Sequence, residues 1–221
     1  MGARAVLVVA GLLVLVATPL HAGGGTGPAT AVATERAAAL DWGRKLVDST
    51  MARFPVPSTL GLWRYPQGLV LLGVWRAYER FGDVRYRNYV KGWVDSYVDA
   101  NGNIDGTLKW VDNFLPGRLL LKLHKATGLA KYKLAADKIR ARYNPGGQPR
   151  TSDGGLIHAT NKTTQGQLWA DGTFMMVPYL VEYGQQYNDA AAKEIAASQL
   201  LIYASHLRDP TTGLIYHAYD E

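Results

Sequence analysis

Apolar positions along this chain recur at helical spacing. Val70, Val74, Ala77, Tyr78 and Phe81 share one helical face, and Tyr187, Ala191, Ile195, Ser198 and Ile202 form a second stripe of smaller residues. Patterns of this kind predict helices over 35–53, 66–81, 84–99, 113–126, 130–143, 171–184 and 188–206. No stretch sustains a period of two, so no sheet is expected. The connections alternate between short and long. Phe81-Gly82-Asp83, Thr127-Gly128-Leu129 and Tyr183-Gly184-Gln185 are short, each with a glycine placed to close a helix in the left-handed region. The long ones, 100–112, 144–170 and 209 onward, are rich in Gly, Asn, Asp and His.

A weak repeat follows the same rhythm. Gly82-Asp83-Val84-Arg85-Tyr86 resembles Gly128-Leu129-Ala130-Lys131-Tyr132, and Gly184 to Tyr187 is a looser third copy. Each copy reads as helix, tight turn, helix, which predicts stacked helical hairpins in an open solenoid or a closed ring. The unequal loops favour the ring, with short turns on one face and long polar loops building a site on the other.

The first residues follow a different pattern. Arg4 precedes the apolar run Ala5–Val16, and Ala17, Thr18 and Ala22 give a small-residue exit. This order predicts a signal peptide over 1–22, hence a secreted or periplasmic protein with no membrane attachment after cleavage. The run falls short of the roughly 20 residues of a membrane span, and an uncleaved anchor is the alternative. Residues 23–34, rich in Gly, Ala, Thr and Pro, read as a flexible spacer, which leaves 35–221 as one folded domain. That domain has no cysteine and must be held by packing alone. The net charge of +6 is spread over scattered Lys and Arg, a solvated surface that suits an anionic substrate better than a nucleic acid. Asn161-Lys162-Thr163 fits a glycosylation acceptor in a host that performs the reaction.

The sequence has no phosphate-cradling glycine loop or nucleophile elbow, and His124, His158, His206 and His217 lack metal-ligand spacing, so no metal is expected. What remains is a set of Asp, His and aromatic residues near the long loops. Asp171 stands where a loop meets the apolar helix that follows Gln167-Leu168-Trp169-Ala170. It is either a helix N-cap or a carboxyl group in a walled cleft, partly desolvated and able to work as a general acid. Asp105, in Asn101-Gly102-Asn103-Ile104-Asp105-Gly106, is a turn residue or a second carboxyl, and a second carboxyl near Asp171 would raise the pKa of one of the two. His158 and His217 end Gly-led loops. Trp63 and Tyr65 precede a helix, where aromatics stack on a sugar ring or fill a core.

In order along the chain, Trp63-Arg64-Tyr65-Pro66-Gln67-Gly68, Gly82-Asp83 with Tyr86, Asn103-Ile104-Asp105, Thr127-Gly128 with Tyr132, Gly154-Gly155 with His158, Trp169-Ala170-Asp171-Gly172 with Met175 and Pro178, and Gly213-Leu214 with His217-Ala218-Tyr219-Asp220 resemble the unsaturated rhamnogalacturonyl hydrolases, glycoside hydrolase family 105. The resemblance implies an all-α fold, an (α/α)6 barrel of helical hairpins, incomplete in this chain because the family's barrel continues past the His217–Asp220 segment into a Trp- and Arg-containing stretch. On that ground the chain is expected to turn over its substrate weakly or not at all. The activity implied is release of a 4,5-unsaturated uronic acid from pectin-derived rhamnogalacturonan oligosaccharides by hydration of the enol ether, with no cofactor. By the same resemblance Asp171 donates a proton to the double bond and takes one from water. Asp105 positions the sugar or the water, His158 and His217 contact the substrate, and Trp63, Tyr65, Trp169 and Met175 wall the pocket. Two further readings stay open: an unsaturated glucuronyl hydrolase acting on other lyase products, and a truncated, non-catalytic sugar-binding relative.

Overall fold

A computed structural model describes residues 28–159 and 166–221. The expected signal peptide, the first part of the expected spacer and Asn161-Lys162-Thr163 lie outside the described residues. The chain divides after Leu40, with Asp41–Glu221 as the second unit. Helix α1, Pro28–Arg53, crosses that boundary; the account below concerns the second unit. The expected start at Glu35 is corrected: α1 begins at Pro28, so the second part of the expected spacer is helical. Proline needs no N–H in the first turn of a helix, and the alanines that follow are strong helix formers.

Six further helices form three hairpins: α2 (Tyr65–Phe81) with α3 (Val84–Asp95), α4 (Gly117–Thr127) with α5 (Ala130–Ala141), and α6 (Gly172–Gln186) with α7 (Ala190–Leu207). Gly82 and Gly128 close α2 and α4 in the left-handed region (φ 70° and 71°), donating their N–H to Tyr78 O and His124 O. The third turn departs from expectation. Gly184 lies inside α6, which runs on to Gln186, and Asn188 (φ 56°) takes the left-handed position. Gly184 serves packing instead: a Cβ there would lie 2.8 Å from Asp189 O and 2.7 Å from Lys193 Cγ, so glycine lets the start of α7 approach.

Tyrosines, two of them from the repeat, tie neighbouring elements together. Tyr86 donates to Asp48 on α1 at 3.0 Å, Tyr132 to Asp95 on α3 at 2.7 Å, and Tyr183 on α6 to Asp137 on α5 at 2.6 Å. Leu71, Leu119, Leu120, Leu123, Tyr179 and Leu180 are buried where α2, α4 and α6 lie side by side. Each such side chain contributes about 1.5–3 kcal/mol relative to exposure.

The expectation of no sheet is corrected on a small scale. Strand β1 (Gln167–Trp169) pairs antiparallel with β2 (Ala218–Asp220), Trp169 opposite Ala218. Strands of three residues are too short to show a period. Single bridges and loop hydrogen bonds extend the pairing: Trp110 bridges Ala159, Val111 N donates to His158 O at 3.0 Å, His158 N to Gln167 O at 2.8 Å, and Ala170 N to His217 O at 2.8 Å. The loops before α4, before α6 and after α7 are thereby stitched together at one end of the hairpins.

Candidate active site

Asp171 immediately precedes α6, and its own backbone is already helical (φ −66°, ψ −20°). Its main-chain carbonyl accepts from Phe174 N and Met175 N, but its carboxylate makes no capping hydrogen bond and is exposed. Asp83 and Asp189 behave differently, accepting from Arg85 N at 3.0 Å and Ala192 N at 2.9 Å as N-caps of α3 and α7. The capping explanation of Asp171 therefore falls, and its carboxylate is free to face a ligand.

The carboxyl group beside it is Asp112, in the 3-10 turn Val111–Phe114 that leads into α4. Asp112 Oδ1 is inaccessible and lies 3.7 Å from His158 Nδ1, which is equally buried, and among the described residues neither atom has a hydrogen-bond partner. Burial, and then the charge of Asp171, raise the Asp112 carboxyl to about 6. Burial lowers the His158 imidazole; Asp171 opposes that shift and His217 adds to it. At neutral pH His158 is uncharged and Asp112 keeps a minor protonated fraction, whereas an ordinary aspartate would be fully ionised. Each buried unpaired polar atom costs about 1–3 kcal/mol.

Trp169 completes the group. Its ring is stacked on His158, centroids 4.0 Å apart and planes within 6°, and tilted at 50° to His217 at 5.4 Å. Its Nε1–H donates to Gln167 Oε1 at 3.0 Å. Strand β1 holds Trp169 in place, and the exposed His217 arrives with the segment leading into β2. Asp171, His158, Trp169 and His217, all anticipated from sequence, are thus brought together.

The remaining candidates take other places. Asp105 is exposed on a separate turn, its N–H donating to Tyr97 O at 2.7 Å, and its charge acts on Tyr97. Trp63 is only 1% exposed and stacks on Trp93 at 5.3 Å, so it has no free face for a sugar. It acts from beneath: its Nε1–H donates to Asn113 O at 3.0 Å, bracing the turn that carries Asp112. Met175 is buried in the core one turn into α6, and Tyr65 is a part-exposed residue at the start of α2.

Asp112 was passed over at the end of the loop 100–112, directly before the predicted helix. A signal for it exists: Trp110-Val111-Asp112 before α4 repeats Trp169-Ala170-Asp171 before α6. A groove of about 630 Å³ lies at the other end of α2, α4 and α6, lined by Trp75, Glu79, Lys122 and Glu182 among others. Its carboxylates are already paired, Glu79 with Arg76 and Lys122 and Glu182 with Arg118, so it offers no free acid.

Residues 42–221 match the family described as Glycosyl Hydrolase Family 88. The chain is 32% identical over 162 residues to the unsaturated rhamnogalacturonyl hydrolase YesR of Bacillus subtilis (strain 168), covering 72% of this chain and 45% of that relative. Among solved structures, a glycoside hydrolase from family 105 of C. acetobutylicum ATCC 824 is similar with a TM-score of 0.71 and 28% identity, over 80% of this chain and 49% of that one. A possible family 105 member from Klebsiella pneumoniae subsp. pneumoniae MGH 78578 matches with a TM-score of 0.63 and 27% identity, over 72% of this chain and 40% of that one. The chain spans about half the length of the relatives it matches. The three hairpins belong to the six-hairpin helical barrel fold that the sequence implied.

Proposed function

The chain belongs to glycosyl hydrolase family 88, and on that premise we propose that the protein releases a 4,5-unsaturated uronic acid from a pectin-derived, rhamnogalacturonan-type oligosaccharide. One observation carries the reading: an exposed, uncapped carboxylate, Asp171, beside a mostly buried carboxyl, Asp112, whose Oδ1 has no hydrogen-bond partner among the described residues. In this proposal the Asp112–Asp171 pair holds one proton between its two carboxyl groups; Asp171 delivers that proton to the enol-ether double bond and then takes one from the water that adds to it. The hemiketal so formed opens and releases the neighbouring sugar. One water is consumed and Asp171 ends in the form in which it began, as general acid–base catalysis requires.

Asp112, held near 6, is partly protonated close to neutral pH and can both donate to and accept from a sugar hydroxyl. His158 stays uncharged and stacked on Trp169, a flat wall suited to the planar end of an unsaturated ring. The similarity to YesR favours rhamnogalacturonan products among the lyase products the family's chemistry could serve. We also propose export, from Arg4 and the apolar run Ala5–Val16; an unprocessed product retained in the cytoplasm would contradict it.

The test is the ultraviolet absorbance of the substrate's double bond, followed with unsaturated rhamnogalacturonan disaccharide and with unsaturated glucuronyl disaccharides. Loss of absorbance that disappears in Asp171→Asn is the expected result. An unchanged rate in that variant would remove Asp171 from the chemistry. Preference for the glucuronyl substrates would reassign the aglycone, and saturable binding without turnover would make the protein a sugar-binding relative.

A further inference from the structure

Gln199 and Tyr203 lie one turn apart on α7, each only 1% exposed. Helix packing alone asks for apolar side chains at such positions, because a buried carboxamide or phenol is costly unless it is hydrogen-bonded. Here both polar groups are directed at the same few residues. Gln199 Oε1 accepts from Leu156 N at 2.7 Å and its Nε2 donates to Gly154 O at 3.0 Å. Tyr203 Oη donates to Leu156 O at 2.6 Å. Helix α7 therefore holds both main-chain groups of Leu156, two residues before His158.

The grip extends to both sides of the site. Among the described residues His158 is hydrogen-bonded only through its backbone, to Gln167 O and from Val111 N, so the position of its ring, stacked on Trp169, depends on where the preceding segment places it. Tyr203 also lies under the residue after Asp171: a Cβ at Gly172 would come within 3.2 Å of Tyr203 Oη. One helix thus contacts the segment that presents His158 and the residue that follows the acid.

We propose that Gln199 and Tyr203 are positioning residues that lock the Gly154–His158 segment to α7 and so fix the His158 ring between Trp169 and the Asp112–Asp171 pair. The inference rests on the reading of that pair as the catalytic site. A shift of about 1 Å in such a group can cost on the order of a hundredfold in rate, so the grip is a matter of rate as well as stability.

The experiment uses the whole chain with Tyr203→Phe, which keeps the ring and removes one hydrogen bond, and Gln199→Leu, which removes two. Leu200→Ala, half-exposed on the same helix, is the control. The first readout is the titration of the His158 imidazole by NMR, assigned by its loss in a His158 variant. The groups facing that ring are Asp112, Asp171 and His217. In both variants the midpoint should rise towards the ordinary histidine value as the segment loosens and water reaches the ring, while the control stays in place. The second readout is turnover of unsaturated rhamnogalacturonan disaccharide, where kcat should fall about tenfold or more with KM changed less than about threefold. Variants that lose thermal stability but keep the parental His158 titration would overturn the proposal and leave two packing residues. If the parent shows no turnover, the rate comparison drops out and the titration alone decides the positioning role.

Discussion

The imidazole of His158 lies flat on the indole of Trp169, 4.0 Å between centroids and 6° from parallel. The stack removes one face of the histidine from water and so helps to keep it uncharged. Trp169→Leu should lower stability by about 1 kcal/mol, the worth of an aromatic pair beyond its burial, in urea unfolding. It should also bring the His158 titration up towards the ordinary range. An unmoved titration would show that the stack does not govern the charge.

Asp171 and Asp189 occupy the same place at the starts of two consecutive helices, yet only Asp189 caps with its side chain. Asp171→Asn should change stability by less than about 0.5 kcal/mol, whereas Asp189→Ala should cost at least about 1 kcal/mol. Activity should follow the opposite order, with Asp171→Asn losing about a hundredfold or more. Unfolding curves and initial rates on the two proteins check both orders.

The Asp112 carboxyl gives a pH dependence of definite sign. It binds its proton more tightly in the folded protein, at about 6, than in the unfolded chain, near 3.8. Between those values the native state holds more protons than the unfolded state, so this group lowers stability as pH rises from about 4 to about 6, and the loss stays constant above. Asp112→Asn should therefore stabilise the protein by about 1–2 kcal/mol above pH 6, after allowance for partial solvent access, and make no difference near pH 4. Melting temperatures of both proteins across that range test it. A difference that grew on acidification would have the wrong sign.

Two glycines separate conformation from space. Gly82 has a positive φ of 70° and nothing within 4 Å of a notional Cβ, so Gly82→Ala should cost about 1 kcal/mol of backbone strain. Gly184 has ordinary helical backbone but would press a Cβ against Asp189 O. Gly184→Ala should lose about 1–3 kcal/mol despite the better helix propensity of alanine. Stabilisation by Gly184→Ala in denaturant unfolding would refute the packing argument.

Much of the fold was legible because helical periodicity is local: the predicted helices from 66–81 onward correspond to α2–α7, with ends displaced by a few residues. Gly82 and Gly128 were readable for the same reason, since each closes its own helix. Gly184 misled because its role is set by Lys193 and Asp189 across the turn, contacts that the surrounding residues do not announce. His158, Trp169, Asp171 and His217 were legible as loop-borne polar and aromatic residues in family order. Asp112 was not singled out: its Trp110-Val111-Asp112 repeats Trp169-Ala170-Asp171, but its own segment does not tell that Oδ1 is buried against His158. Trp63 failed the other way: an aromatic at a loop exit reads alike whether its face meets solvent or Trp93.

The pairing of β1 with β2 joins Trp169 to Ala218 across the whole of the α6–α7 hairpin. Contacts of such separation carry the loop-closure entropy that the helical hairpins, with their short turns, largely avoid. The hairpins can therefore assemble first, and His217 reaches Trp169 only when the last strand docks. That late, small ladder should also be the first part to open: the amides of Ala170 and Tyr219 should exchange with solvent at lower opening free energy than those of Leu120 or Tyr179. On that expectation the acid is carried by a firmly packed helix, while one of the histidines around it rests on a small ladder that opens before the core does.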